Sequence, residues 1–431
     1  MNPRAILLGL FRTAVDAAHP ERCLPPHLPP PPRGRTIVLG AGKAAAAMAR
    51  TVEAHWRGPL EGLVVTRDGH GAATERIVVI EAAHPLPDAR AIEAARRMRA
   101  MLEELRADDL VLFLGSGGGS ALLALPAPGL SLEDKRGLTT ALLRAGASIH
   151  EINAVRKHLS AVKGGRLAAA AYPARFVSLL ISDVAGDDPA TIASGPGVAD
   201  PSTLEDARTV LAKYRIEPSL AVRRHLAEPR NETPKPGDPC LARASATLIA
   251  TPKLALEAAA RAAGRQGIDA LVLGDALEGA AQDLATAQAA HALALQTTIG
   301  SPAVLLSGGE ATVVVSGQGR GGPNAEFALA LALALDGAPG IFALACDTDG
   351  IDGSEDNAGA IVGPETLARA RKRGLKPRAF LVEHDSYGFF EALGDLVLTG
   401  PTRTNVNDFR AILVLPILVL PRNAAEAPGI G

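Results

Sequence analysis

Cysteine is scarce in this chain of 431 residues: Cys23, Cys240 and Cys346 are odd in number and far apart. They fit neither a disulfide framework nor a zinc site, so a reducing, cytoplasmic setting is the expectation. Aromatics make up only 3% against 47% hydrophobic residues overall, which leaves Ala, Leu and Val to build the interior. No charge sign dominates: 44 basic side chains face 46 acidic ones. That balance excludes the global field that would draw a nucleic acid or an anionic membrane, and neither partner is expected. Long apolar runs are missing too. AILVLPILVL at 411–420 has about half the length needed to cross a bilayer as a helix. The opening segment MNPRAILLGLFRTAVDAAHP carries Arg4, Arg12 and Asp16 and reads as an amphipathic helix rather than a leader.

What is present is an alternation. The short apolar runs TIVL (36–39), GLVVT (62–66), LVLFLG (110–115) and FVSLLISD (176–183) alternate with longer Ala/Leu/Arg segments, the pattern of strand and crossover helix in a doubly wound, mostly parallel, Rossmann-like sheet. Four prolines in PRNETPKPGDP (229–239) suggest a linker. Beyond it ATLIAT, DALVLG, AVLLSGG, TVVVSG and IFALACD restart the pattern. The expected division is therefore two α/β domains, 1–236 and 237–431, in keeping with the length. PPHLPPPP at 25–32 reads as a stiff connector. No internal repeat of fixed period is evident.

Several strand ends open into glycine-rich loops, where ligands of open α/β sheets sit. In VLGAGKAAAAMA, Gly40 and Gly42 allow a tight turn and Lys43 starts a helix, a weak anion-site signal that matches no nucleotide fingerprint, since Ala45 stands where a third glycine belongs. In LFLGSGGGSALLAL, Gly117, Gly118 and Gly119 contribute no packing, and Ser116 and Ser120 flank them, so a phosphate or carboxylate cradle is preferred to a plain turn. In LLSGGEATVVVSGQGRGGPNAEFALALAL, Arg320 stands among glycines with few side chains to pair with, and its planar fork suits a phosphoryl group. Glu310 and Asn324 flank it, Asn324 being equally readable as a helix cap.

Two acidic segments complete the set. Asp183 ends an apolar strand, where a desolvated carboxylate calls for a cation or donors, whereas Asp188 reads as an Asx turn. ACDTDGIDGSEDNAGA (345–360) looks at first like a calcium loop, but the register fails, with Ala358 in place of the closing Glu. It suits Mg²⁺ held through one or two carboxylates. Asp347 is the firm candidate there, and the remaining acids shape and solvate the turn. Cradles, one Lys, one Arg and carboxylates form the parts list of a phosphoryl-transfer site.

These stretches, in this order and together with AAHPLPD, INAVRKHLSAVKGGRLA and GPTRTNVNDFRAIL, resemble the glycerate 2-kinases, the class II glycerate kinases whose C-terminal half is called the MOFRL domain. The resemblance implies transfer of the ATP γ-phosphoryl group to the C2 hydroxyl of D-glycerate with Mg²⁺, in a cleft between two α/β domains. It implies Lys43 and Arg320 as the principal catalytic cations, with Asp183, Glu310 and Asp347 lining the same cleft. Asp347 and Asp183 would serve as metal ligand and base in either assignment. The loop Ser116–Ser120, with Gly42, would hold nucleotide or phosphate, and Arg156 and Lys157 would add charge beside it. Asn324 and Asn405 are candidate ligand contacts, whereas His84 and His158 read better as structural. The oligomeric state stays open, a homodimer included. Three other readings stand beside this one: a nicotinamide-dependent hydroxypyruvate reductase, a kinase for another small sugar acid, and a non-catalytic anion-binding protein.

Overall fold

The computed structural model describes residues 2–417. Its first sheet contains β1 (Thr36–Ala41), β2 (Glu61–Arg67), β3 (Ile77–Ala82), β4 (Leu110–Gly115), β5 (Arg175–Ile181) and β6 (Ala244–Ala250). All six run parallel, in the order β3-β2-β1-β4-β5-β6. β1 and β4 are buried along their whole length, which is why they read as continuous apolar runs rather than alternating ones. Val38 and Leu112 meet Met48 and Val52 of the helix Ala45–His55 on one face. Ile37, Leu39 and Val111 meet Ala91, Ala94 and Met98 of the helix Ala89–Ala100 on the other. The strand order reverses between β1 and β4, and the crevice of a doubly wound sheet opens at that point.

The second sheet uses most of β7 (Asp269–Gly274), β8 (Gly279–Ala280), β9 (Ala303–Gly309), β10 (Ala311–Thr312), β11 (Ile341–Asp347), β12 (Gly359–Val362), β13 (Leu396–Val397) and β14 (Asp408–Val414). β8 and β10 form a two-residue ladder, and the others are ordered β13-β12-β11-β14-β9-β7. Within this six-stranded order, among the described residues, only β7 and β9 pair in parallel, as β8 and β10 do in their separate ladder; β14 runs antiparallel to both its neighbours. Register places Asp347, Asp408 and Gly309 side by side at one edge. The opening helix, Pro3–Ala18, packs Leu7, Leu10 and Phe11 against Phe409 and Leu413 of this second sheet, the Phe11 and Phe409 rings lying 5.8 Å apart.

Several sequence expectations need correcting. ATLIAT does not begin the second sheet: as β6 it hydrogen-bonds to β5, so the first sheet runs past the expected division at 236/237. Composition after a proline-rich crossover cannot tell the edge strand of one sheet from the opening strand of the next. TVVVSG is no strand beyond Thr312; Val314 and Val315 are exposed, Val314 by 88%. Asn324 is not a cap either, since the helix Pro323–Leu335 has its N-cap at Gly322. AILVLPILVL enters the second sheet through β14, and its last three residues lie outside the described part.

A candidate active site between the two sheets

The carboxyl ends of the first sheet face one edge of the second. From the first come Lys43 after β1, Arg67 at the end of β2, His84 after β3, the loop Ser116–Ser120 after β4 and Asp183 after β5. From the second come Glu310, Asp347 and Asp408. Because β14 is antiparallel to its neighbours, the loop preceding it, with Asn405 and Asn407, opens at the same edge. Side chains bridge the cleft. Lys43 Nζ donates to Asp349 Oδ2 at 2.5 Å, and Asn405 Nδ2 donates to Asp183 Oδ2 at 2.9 Å. Asn407 Nδ2 donates to the Asp183 carbonyl at 2.7 Å.

Two cavities meet there. The smaller, about 410 Å³, is lined by Lys43, Arg67, His84, Asp347, Asn324 and Asn405 among others. The larger, about 670 Å³, is lined by Ser120, Asn153, Arg156 and Thr191, with apolar Ile149 and Ile192. Gly118, Asp183 and Glu310 border both.

Electrostatics differ from group to group. Burial alone would depress the Lys43 ammonium, but Asp349, Asp347 and Asp183 together raise its pKa above the ordinary lysine value. Burial raises Asp183, an effect that Lys43 partly opposes. Burial, with Asp183 and Asp408 nearby, also raises Glu310. Asp347 is pushed up by burial and by its neighbour Asp349, while Lys43 holds Asp349 down as the carboxylate of the pair. His84 is lowered to about 4 by burial and by Lys43 and Arg67, so its imidazole is neutral at pH 7.

The two glycine loops of the first sheet turn out differently. After β1, the amides of Gly42, Lys43, Ala44 and Ala45 all donate within the protein, to Val65 O, Gly117 O, Ser116 Oγ and Gly42 O. This loop is therefore not the anion cradle that its sequence suggests. Gly42 is required because a Cβ there would strike Ser116, whose hydroxyl accepts from the Ala44 amide at 3.0 Å. After β4, by contrast, the amides of Gly117, Gly118 and Ser120 have no partner among the described residues. A Cβ on Gly117 would collide with Asp183 and Asn405, and one on Gly118 would lie 2.9 Å from His84 Nε2. Gly119 packs against Ala193 and the Ala41 carbonyl.

Other candidates divide in the same way. Arg156 borders the larger cavity, but Lys157 turns away to Asp200 at 3.3 Å. His158 is structural, paired with Glu232 at 2.7 Å. Asp188 closes an Asx turn on Ala190 and Thr191. Arg320 does not share the cavity with Lys43: it lies on the outside, stacked 4.7 Å over Tyr387 and paired with Glu391 at 3.0 Å and Glu355 at 3.6 Å. Asn324 donates to Asp408 at 2.6 Å.

Sequence reasoning missed Arg67 and Asp349. Arg67 could have been found as a cation ending a strand, whereas nothing in the spacing marks Asp349 as the partner of Lys43. Asp349 and Asp352 are buried rather than solvating their turn; Asp352 accepts from Asn324 N and Ala325 N at the start of a helix. Asp183, Asp347 and Glu310 offer the hard oxygen donors that Mg²⁺ takes. Among the described residues no three such side chains converge on one point. A Mg²⁺ ion here would therefore be completed by phosphate and water.

Fold and site together define a two-sheet α/β protein with a charged cleft shared by both sheets. Residues 6–227 match a domain of unknown function, DUF4147, and residues 303–408 match the MOFRL family. The chain is 52% identical to a protein of Agrobacterium vitis that bears the name "putative hydroxypyruvate reductase", over 96% of this chain and 95% of that one. It is 40% identical to a D-glycerate 2-kinase of Thermotoga maritima, over 94% and 97% of the two chains. A crystal structure of a glycerate kinase from Thermotoga maritima superposes with a TM-score of 0.85 at 39% identity, covering 95% of this chain and 99% of that one. The chain belongs to the glycerate kinase family that carries the MOFRL domain.

Proposed function

We propose that the protein transfers the γ-phosphoryl group of ATP to the C2 hydroxyl of D-glycerate, giving 2-phospho-D-glycerate and ADP. The observation that carries this reading is the junction of the two cavities at Gly118, Asp183 and Glu310. The larger cavity takes the nucleotide, with its phosphates toward the Gly117–Ser120 amides, and the smaller takes glycerate. Arg67 and Lys43 are the cations available to the glycerate carboxylate and the transferring group. Asp183, oriented by Asn405 and made more basic by burial, accepts the hydroxyl proton as the new O–P bond forms and the bridging O–P bond of ATP breaks. Asp347, with Asp183 as the second carboxylate, would hold Mg²⁺, which supplies charge neutralisation on the phosphate oxygens when bound.

A reductase reading is favoured by the name of the Agrobacterium vitis relative and by the strand order, which is that of dinucleotide-binding sheets. Arg67 even ends β2, where such enzymes read the ribose. Against it, the amides of the first turn are all engaged, and a pyrophosphate would need them.

Incubation with glycerate, ATP and Mg²⁺, coupled to enolase without a mutase, is expected to give a signal, while hydroxypyruvate with reduced nicotinamide cofactor gives none. The reverse result would replace the kinase by the reductase. Silence in both assays would point to another sugar acid or to binding alone.

A further inference from the structure

Two buried lysines, Lys163 and Lys135, and the half-buried Arg156 that borders the larger cavity have no acidic partner among the described residues. Lys163, only 2% exposed, lies between the two loops that frame the cavity: Nζ donates to Ser120 O at 2.9 Å and to Ala193 O at 3.4 Å. Lys135 Nζ reaches only Leu125 O, at 3.5 Å, and Arg156 Nε reaches Thr139 Oγ1 at 3.5 Å. Neighbouring Lys157 is neutralised by Asp200, but none of these three meets a carboxylate among the described residues. Burying a charge without a counter-charge is expensive unless something supplies one.

The segment that Lys163 grips is strained. Ala193 and Ser194 both have left-handed φ, 51° and 60°, ahead of Gly195 at 62°. Such conformations persist only where their surroundings fix them. Here the fixing comes from Lys163 and its successors, through Gly164 N to Ser194 O at 3.0 Å and Gly165 N to Gly195 O at 2.8 Å, and from the Ser120–Ser194 hydroxyl pair at 2.8 Å. The ammonium therefore locks the loop with the free amides onto its neighbour.

We propose that Lys163 is a positioning residue for the polyphosphate of the nucleotide: it fixes the Gly117–Ser120 loop, and with Lys135 and Arg156 it forms a cationic floor whose counter-charge is the ligand. The inference rests on the nucleotide occupying the larger cavity. Protonation supports it. Burial, with Lys135, Arg156 and Lys157 nearby, pushes Lys163 well below the ordinary lysine value, and burial with Arg156 brings Lys135 down to about 7. A polyanion raises both, so binding at pH 8 draws a proton onto Lys135.

Titration calorimetry with ADP and with adenosine tests this on wild type, Lys163→Met, Lys163→Arg and Lys135→Met. ADP affinity should fall at least tenfold in Lys163→Met and partly recover in Lys163→Arg, with adenosine affinity unchanged; a general folding defect would weaken both ligands. Proton uptake on ADP binding, read from two buffers of different ionisation enthalpy, should drop in Lys135→Met. If Lys163→Met binds ADP as wild type does, the inference falls while the kinase reading stands. If Lys163→Met does not fold, Lys135→Met decides: unchanged ADP affinity and unchanged proton uptake overturn the proposal. Wild type that binds neither ADP nor inorganic triphosphate removes the kinase reading and this inference together.

Discussion

Lys43 and Asp349 are the only ionised pair joining the two sheets inside the cleft among the described residues, and the pair has two separable duties. In the proposed reaction Lys43, as a cation facing the transferring group, would stabilise charge that grows in the transition state, so Lys43→Met should lower kcat roughly 10²–10³-fold with a smaller change in KM. As the partner of a fully buried carboxylate it also supports the fold, and its removal should destabilise by about 3–5 kcal/mol. The double variant Lys43→Met/Asp349→Asn should recover stability in urea titrations but not kcat. Recovery of both would leave Lys43 a structural residue. In the proposed reaction Asp183 would set the pH dependence. Its folded pKa is raised by burial, and it acts as a base only when deprotonated, so kcat/KM should decline as pH falls through that raised value, above the ordinary aspartate value of about 3.9. Asp183→Asn should remove most of the rate and this acid limb with it. A limb unchanged in the variant would assign the proton to another group, Glu310 being next.

The segment that follows β10 carries the next prediction. Val314 and Val315 stand in solvent, and Arg320 is held outside the cleft by exposed pairs, which contribute little to stability. If this segment folds over the cleft during turnover, as lids do, Arg320 arrives only then. Arg320→Ala should lower kcat at least tenfold with an unchanged melting temperature; a lowered melting temperature with normal kcat would confine Arg320 to its surface pairs. The strand ends were legible in the sequence because a buried parallel strand is a continuous apolar run and its glycines are hard to explain otherwise, as at LVLFLGSGGG. The fate of each loop was not. Gly42 and Gly117 look alike in sequence, yet one is needed for backbone packing and the other borders open amides, and only the partners of those amides distinguish them. Asn405 and Asn407 could not be placed either, because nothing in DFRAILV states that the strand runs antiparallel.

Over the whole molecule, the division read from composition is blurred at both ends. β6 stays with the first sheet after the proline-rich crossover, and the opening helix leaves the first sheet for the second. That helix also touches the cleft indirectly, since Thr404 Oγ1 donates to Ala18 O at 2.7 Å beside Asn405. Phe11→Ala should therefore destabilise by about 3–5 kcal/mol in denaturant titration, the usual range for a large buried ring. A shift below about 1 kcal/mol would mean that the helix is only peripheral.

The packing of Phe11 on Phe409 also bears on how the protein is made. The helix Pro3–Ala18 docks on the helix Pro252–Gly264 and, through Phe11 and Phe409, on the strand at 408–414, both of them far along the chain. Until those segments are made part of its apolar face stays uncovered, and nascent chains with such uncovered surface are the ones prone to aggregate or to need a chaperone. The cleft, which Asp408 lines from the start of that strand, is therefore complete only once the strand at 408–414 is made, and not when the first sheet is.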